Sequence, residues 1–364
     1  KGREVVEGDL RVEFVIDSAF LYENVFEHGD TSLSVVCYEY LKLNGVLIAE
    51  HSDIEDDKQT VCIAPLIRTT ATDTATDTGV LSLSETVNVN DRVSFENLAT
   101  GETYVVTGTL IDRLTGEPYL DSDGNSYKKQ VEFVPGSPNG YVDVGFEDVS
   151  VPLDPIELVV FETLRVRNDI SPIAVHEDIN DRDQTLSRAS CNTYATTLRG
   201  DKAFLKNSTV TIVDHVNYEN LEVGHTYYAK AALLKSDGTE VVSRGNEVVA
   251  IQEFVPEQES GTIDVSIKFN SSELESGDRV VVTENIFDIS TENEIEQGIQ
   301  LADVQVLTHE DLNNMDQSLS VSAIPMSGEI LNNETVFGIV LFASAVAAFA
   351  SFAVYEKHRK RSVR

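Results

Sequence analysis

Apolar residues fall on every second position through much of this chain. In Tyr141-Val-Asp-Val-Gly-Phe146 and Thr262-Ile-Asp-Val-Ser-Ile267 one face is apolar and the other polar, the period of a half-buried β-strand. Tyr104-Val-Val-Thr-Gly-Thr-Leu-Ile111 is a further strand. Turn-forming clusters separate such runs, among them Leu114-Thr-Gly-Glu-Pro118, Asp121-Ser-Asp-Gly124 and Ser236-Asp-Gly238. No long helical period appears before the C-terminal end. Short strands at close spacing predict an all-β chain of immunoglobulin-like β-sandwiches.

The pattern repeats on the scale of whole domains. His51-Ser-Asp-Ile-Glu-Asp56-Asp-Lys-Gln59-Thr60 returns as His176-Glu-Asp-Ile-Asn-Asp181-Arg-Asp-Gln184-Thr185 and again as His309-Glu-Asp-Leu-Asn-Asn314-Met-Asp-Gln317-Ser318. The spacing is far longer than a solenoid unit and matches tandem domains. Other segments align too. Asp91-Arg-Val-Ser-Phe-Glu-Asn-Leu98 answers Asp214-His-Val-Asn-Tyr-Glu-Asn-Leu221, and Glu132-Phe-Val-Pro135 answers Glu253-Phe-Val-Pro256. Val36-Cys-Tyr-Glu39, Val159-Val-Phe-Glu162 and Val281-Val-Thr-Glu284 share one position in the three copies. The first copy has no counterpart of the Asp91 segment. The expected division is therefore residues 1–62 as the back half of a repeat, 63–187 and 188–321 as two complete repeats, and 322–364 as a separate tail. A chain opening at Lys1 on half a repeat is expected to be the C-terminal portion of a longer protein.

Charge narrows the function classes. Lys and Arg number 27 against 62 Asp and Glu, a formal net charge of −35. That repels nucleic acid, which needs a basic footprint. Cys37, Cys62 and Cys191 form neither a metal spacing nor an even disulfide framework, and are read as small buried thiols. Asp178, Asp181 and Asp183 would suit a solvated loop or weak calcium ligands. Asp121-Ser-Asp-Gly-Asn125 faintly resembles part of a calcium loop but reads as a hairpin turn. No cofactor and no metal are expected.

The tail has its own pattern. Residues 335–355 carry no charge, long enough for one C-terminal transmembrane helix. A basic run, Glu356-Lys-His-Arg-Lys-Arg361, follows within the tail 356–364 and would stay cytoplasmic. Just upstream lies Ile324-Pro325-Met326-Ser327-Gly328. This order resembles a Gram-positive cell-wall sorting signal of LPxTG type, with Ile for Leu and Ser for Thr. The resemblance implies cleavage by sortase between Ser327 and Gly328 and attachment of Ser327 to peptidoglycan. The alternative is a plain membrane anchor.

The repeats resemble the VaFE repeats and Thr–Gln ester-bond domains of Gram-positive surface adhesins. Val159-Val-Phe-Glu162 followed by His176, Asp181 and Gln184 carries the likeness, which covers residues 1 to about 321. In that family a Thr on the first strand attacks the side-chain amide of a Gln on the last, and ammonia leaves. The Thr is expected in a Thr-x-Ala motif. The second copy offers Thr69-Thr70-Ala71 and the third Thr193-Tyr194-Ala195. Tyr194 takes the place of Thr70, which favours Thr69 and Thr193.

These residue types suit such chemistry. A Thr hydroxyl is a weak nucleophile and needs a base. His176 can take its proton, with Asp181 orienting the ring. Asp91 and Glu162, if buried together, would share a proton, and the protonated carboxyl could polarise the Gln184 carbonyl. The third copy offers Thr193, Asp214, Glu284, His309 and Gln317, but Asn314 stands where Asp181 stands and cannot offset a charge on the ring. The first copy keeps Glu39, His51, Asp56 and Gln59, lacks the nucleophile strand, and is expected to carry no internal ester.

The expected role is a structural stalk of a wall-anchored adhesin at the cell surface. Its partners would be sortase and peptidoglycan, the membrane before sorting, and a host ligand through upstream domains. A module that binds host protein or glycan directly, or a minor pilus subunit, is the alternative. The chain has no Trp and no Tyr-Pro-Lys, which argues against a pilus backbone. No nucleophile elbow, metal spacing or phosphate loop marks an enzyme.

Overall fold

The computed structural model describes residues 8–24, 32–289 and 304–322. The pentapeptide Ile324–Gly328, the apolar span 335–355 and the basic tail lie outside the described residues. The transmembrane helix expected there does too. Among the described residues no helix is long and apolar enough to cross a membrane.

Nearly all of the regular structure is strand. One short α-helix, α1 (Ser18–Asn24), and a single 3-10 turn at Ser271–Glu273 escape the strand pattern among the described residues. Helix α1 starts at Asp17, whose Oδ1 accepts from Ala19 N at 2.9 Å, as a helix-capping side chain does.

The first repeat has four strands: β1 (Leu33–Val36), β2 (Glu39–Leu43), β3 (Val46–His51) and β4 (Thr60–Ile63). β1 pairs with β4 and β2 with β3, both antiparallel. The β2–β3 turn uses Asn44 (φ 49°) and Gly45 (φ 83°), the positive dihedrals that a two-residue hairpin of primed type requires. Every residue of β2 and β3 is exposed. No strand equivalent to the front half of a repeat precedes β1 among the described residues.

The second repeat is a two-sheet sandwich. Its strands are β5 (Leu66–Asp73), β6 (Val80–Leu81), β7 (Thr86–Glu96), β8 (Tyr104–Asp112), β9 (Lys128–Phe133), β10 (Gly140–Ser150), β11 (Glu157–Val166), β12 (Ala174–His176) and β13 (Thr185–Arg188). One sheet runs β10-β7-β5 and the other β6-β13-β11-β8-β9, with β12 also on β11. Alternation sorts the faces of β5 and β7. Ile67, Val89 and Val93 point inward against Tyr104, Val106, Leu110, Leu158 and Val160 of the other sheet. β12 and β13 pair with successive stretches of the same edge of β11: Glu162 faces His176 and Val159 faces Thr185. The His-to-Gln motif is the loop that interrupts that edge.

The third repeat has strands β14 (Ser190–Thr197), β15 (Ala203–Leu205), β16 (Thr209–Glu219), β17 (Tyr227–Lys235), β18 (Val242–Ser243), β19 (Asn246–Glu247), β20 (Val249–Phe254), β21 (Gly261–Asn270), β22 (Arg279–Asp288), β23 (Gln305–His309) and β24 (Ser318–Ser322). Its sheets run β14-β16-β21 and β15-β24-β22-β17-β20, with β23 on β22. It encloses a second core, against which Val80 of β6 also packs. The two sandwiches meet directly, through an Arg182–Glu259 ion pair and an Asn220 Nδ2 bond to Arg188 O at 3.3 Å.

The cysteines depart from expectation. Cys37 and Cys191 are half-buried and Cys62 is exposed, because β4 has no second sheet to cover it among the described residues. Asp121 behaves as a turn residue: its Oδ1 accepts from Asp123 N at 2.9 Å and Asn125 N at 2.8 Å.

Candidate cross-linking sites

Thr69 lies on the inward face of β5, 4% exposed, while Thr70 faces out. The same alternation buries Thr193 and leaves Tyr194 exposed, stacked on His215. In both repeats the Ala of Thr-x-Ala stands opposite the Asp of the neighbouring strand, Ala71 against Asp91 and Ala195 against Asp214. The two sheets are stitched together at this point. Ala71 N donates to Asp183 O at 2.8 Å, and Ala195 N donates to Asp316 O at 2.8 Å. The Gln backbone is fixed to the sheet likewise: Val160 N donates to Gln184 O at 3.2 Å and Val282 N to Gln317 O at 3.1 Å.

In the second repeat Asp91, Glu162 and Gln184 are all fully buried. Gln184 Nε2 donates to Glu162 Oε2 at 2.5 Å. Thr69 sits against the same carboxyl, with its hydroxyl in no well-formed hydrogen bond. Both Asp91 oxygens and Glu162 Oε1 lack a donor among the described residues, although the two carboxyls face each other. Two ionised acceptors in that position would repel, so a shared proton is the satisfied state. Burial first, then the Asp91 charge, pushes Glu162 up to about 11. Burial pushes Asp91 up to about 7. At neutral pH the pair thus holds at least one proton beside the Gln amide.

One expectation changes. The Gln184 nitrogen, rather than its carbonyl oxygen, meets Glu162, and Oε1 has no donor among the described residues. The only polar hydrogens on the Gln side chain are on nitrogen, so a carboxyl oxygen that accepts must face it. The arrangement therefore suits delivery of a proton to leaving ammonia more directly than polarisation of the carbonyl.

The third repeat repeats the constellation. Asp214, Glu284 and Gln317 are fully buried and Thr193 is 1% exposed. Gln317 Nε2 donates to Thr193 Oγ1 and, at 3.1 Å, to Asp214 Oδ1. Burial and then the Asp214 charge push Glu284 up to about 10, and burial pushes Asp214 up to about 6. The rise of Asp214 is held back first by its hydrogen bonds with Glu284 and Gln317, and then by His215 and Lys202 nearby.

His176 Nε2 meets Asp181 Oδ2 at 2.9 Å, and its Nδ1 is buried without a partner. His309 Nε2 meets Asn314 Nδ2 at 2.9 Å. The first repeat places Glu39 opposite His51, has His51 Nε2 at 2.9 Å from Asp56 Oδ2, and has Gln59 Nε2 donating to Glu39 Oε2. Glu39 is exposed there. Two carboxylates of the second motif also close turns: Asp178 Oδ1 accepts from Asn180 N at 2.9 Å and Asp181 Oδ1 from Asp183 N at 2.9 Å. No cluster that could hold a metal ion occurs among the described residues.

Several contributors give little signal in the sequence. The hydroxyl after each Gln closes the motif loop: Thr60, Thr185 and Ser318 donate to Asp56 O (2.9 Å), Asp181 O (2.6 Å) and Asn314 O (2.7 Å). Its recurrence as Thr or Ser is the available clue. Arg188, fully buried, clasps the end of β13 by donating to Ser82 O, Ser84 O (3.0 Å) and Pro152 O (3.0 Å). Lys202 Nζ donates to Ala195 O at 2.7 Å and to Asp316 O, beside the third site.

A chain blocked from cross-linking should show the buried proton in its pH dependence. In Thr69→Ala, Glu162 keeps a folded value near 11 against an ordinary 4.5. The folded state holds the proton more tightly, so its contribution is complete below about 4.5 and is lost progressively as pH rises toward about 11. Thermal melts should therefore give a melting temperature for the second repeat that falls from about pH 5 to about pH 9. A flat or rising profile would contradict a protonated pair.

A class is now defined: tandem β-sandwiches, each with a buried Thr, two carboxyls and a Gln between its first and last strands. The family described as "T-Q ester bond containing domain" matches residues 2–63, 65–188 and 189–321, and the chain belongs to it. Among curated proteins none matches. Solved structures with similarity include a bacterial adhesin from Mobiluncus mulieris containing intramolecular disulfide, isopeptide and ester bond cross-links. It is 14% identical, with 60% of this chain and 80% of that chain covered and a TM-score of 0.27. A glycosyl hydrolase family 2 member from Bacteroides cellulosilyticus is 10% identical, with 80% and 36% covered and a TM-score of 0.25. Similarity at that level carries no functional inference.

Proposed function

We propose that this chain is the stalk of a surface adhesin, its full repeats locked by Thr69–Gln184 and Thr193–Gln317 ester bonds. The observation that carries the reading is the buried Thr, Asp, Glu and Gln set that joins β5 to the start of β13, and β14 to the start of β24. These are the first and last major strands of each sandwich, and they take the load when an array is pulled from its ends. The reaction balances simply. The Thr oxygen bonds to the Gln carbonyl carbon, the carbon–nitrogen bond breaks, and ammonia leaves with the hydroxyl proton. His176 first receives that proton, the carboxyl pair supplies one to the nitrogen, and the proton on His176 then restores the pair, so one proton passes in net from oxygen to nitrogen. The sandwich holds nucleophile and amide together in place of a substrate pocket, so the chain modifies itself once and is not an enzyme acting on others. We further propose sorting at Ser327–Gly328 and attachment of the C-terminus to the cell wall, from the order of pentapeptide, apolar span and basic tail.

Single-molecule pulling from the two ends tests the stalk reading. The second repeat should withhold roughly 40 nm of extension, the contour between Thr69 and Gln184 at about 3.5 Å per residue. Full extension of that repeat in the wild-type chain would overturn the reading.

A further inference from the structure

The three His-to-Gln loops are built alike except for the polarity of one hydrogen bond. Each starts with a side-chain turn. Asp56 Oδ1 accepts from Lys58 N at 2.8 Å, Asp181 Oδ1 from Asp183 N at 2.9 Å, and Asn314 Oδ1 from Asp316 N at 2.8 Å. The second atom of each group then meets Nε2 of the loop histidine, at 2.9 Å in every copy. In the first two repeats that atom is a carboxylate oxygen, which only accepts. In the third it is the amide nitrogen of Asn314, which only donates. Rotating the Asn314 amide would set its NH₂ against the backbone N–H of Asp316, so the turn pins it.

The ring facing each group must answer. Opposite Asp181, His176 Nε2 carries the hydrogen, and the neutral ring has its lone pair on Nδ1. That Nδ1 is buried and has no partner among the described residues, as a base awaiting a proton should be. Opposite Asn314, His309 Nε2 must present its lone pair and Nδ1 carries the hydrogen. Both nitrogens are then committed. A proton added at Nε2 would set two donors head to head. The backbone setting is otherwise equivalent: His176 stands opposite Glu162 and His309 opposite Glu284, and β12 and β23 pack beside the nucleophile strands β5 and β14.

We propose that Asn314 is a positioning residue that holds His309 in the tautomer unable to act as base, which makes the third repeat slow to cross-link. The proposal rests on the cross-linking reading above and adds a difference between the two sites that the shared constellation hides. It acts through hydrogen-bond direction, beyond the missing negative charge. General-base assistance contributes about 10²–10⁴-fold to such steps, and the third bond should lag the second by a factor in that range.

The experiment uses the full chain, made by cell-free synthesis and sampled over time. Digestion and mass spectrometry score the Thr69–Gln184 and Thr193–Gln317 branched peptides separately. Asn314→Asp should accelerate the third bond toward the rate of the second, and Asp181→Asn should slow the second while leaving the third unchanged. In parallel, nitrogen NMR of labelled histidines should show His309 with hydrogen on Nδ1 in the wild type and on Nε2 in Asn314→Asp, a change that a purely structural role would not produce. Equal rates for the two bonds in the wild type, no acceleration in Asn314→Asp, or a wild-type His309 already carrying hydrogen on Nε2 would each overturn the proposal. If no variant loses ammonia in either repeat, the cross-linking reading fails instead, and the NMR spectra still decide the tautomer.

Discussion

Thr69→Ala should return the second repeat to its full sequence mass and lower its melting temperature by on the order of 15 °C. The size follows from topology. Thr69 lies on β5 and Gln184 just before β13, strands of different sheets near opposite ends of the domain, so the bond would close a loop of over 100 residues. By analogy with disulfides, closing such a loop removes about 4–5 kcal/mol of chain entropy from the unfolded state. For a domain of this size each kcal/mol moves the midpoint by about 3–6 °C. The substitution itself removes one buried hydroxyl without a well-formed hydrogen bond, which costs little beside the cross-link. Peptide mapping and differential scanning calorimetry check both parts. If Thr69→Ala changes neither while Thr70→Ala changes both, the nucleophile belongs to the outward face of β5 and Thr69 is an ordinary core threonine.

Glu162→Gln should slow formation of the same bond severely without unfolding the repeat. Asp91 and Glu162 are two carboxyls with at least one proton between them at neutral pH. An amide at position 162 offers Asp91 a permanent N–H donor of nearly the same shape, so the buried pair stays satisfied. It has no acidic proton for leaving ammonia. The second repeat should keep Gln184 as an amide, with cross-linking slowed by about 10²–10⁴-fold. The third repeat should behave as in the wild type, since its own pair is Asp214 and Glu284. A branched Thr69–Gln184 peptide appearing at the wild-type rate would remove the acid role from Glu162.

The site residues are legible in the sequence because strand alternation and domain repetition act together. Alternation puts Thr69 and Ala71 on one face of β5, and repetition shows which polar residues recur beside that face. His176, Asp181 and Gln184 stand out because a short loop keeps their spacing fixed. Features set by the third dimension stay hidden. Arg188 reads as an ordinary charged residue, and only the fold shows it buried against the carbonyls of Ser82, Ser84 and Pro152. Lys202 lies far in sequence from Asp316, which it reaches across the site. Amide direction is invisible in a string of letters, so the nitrogen-first contact of Gln184 with Glu162 and the reversed bond at Asn314 emerge only from geometry. Cys62 defies the buried-thiol expectation because burial depends on a covering sheet that the first repeat does not have among the described residues. Helix α1 escapes the sequence pattern because seven residues are too few to set up a helical period.

The most direct measurement is peptide mapping of the wild-type chain by mass spectrometry. The expected result is one branched peptide that joins the Thr69 segment to the Gln184 segment and weighs one ammonia less than the two segments together. Two linear peptides at full sequence mass, with Gln184 an intact amide, would contradict the cross-link on which the stalk reading stands.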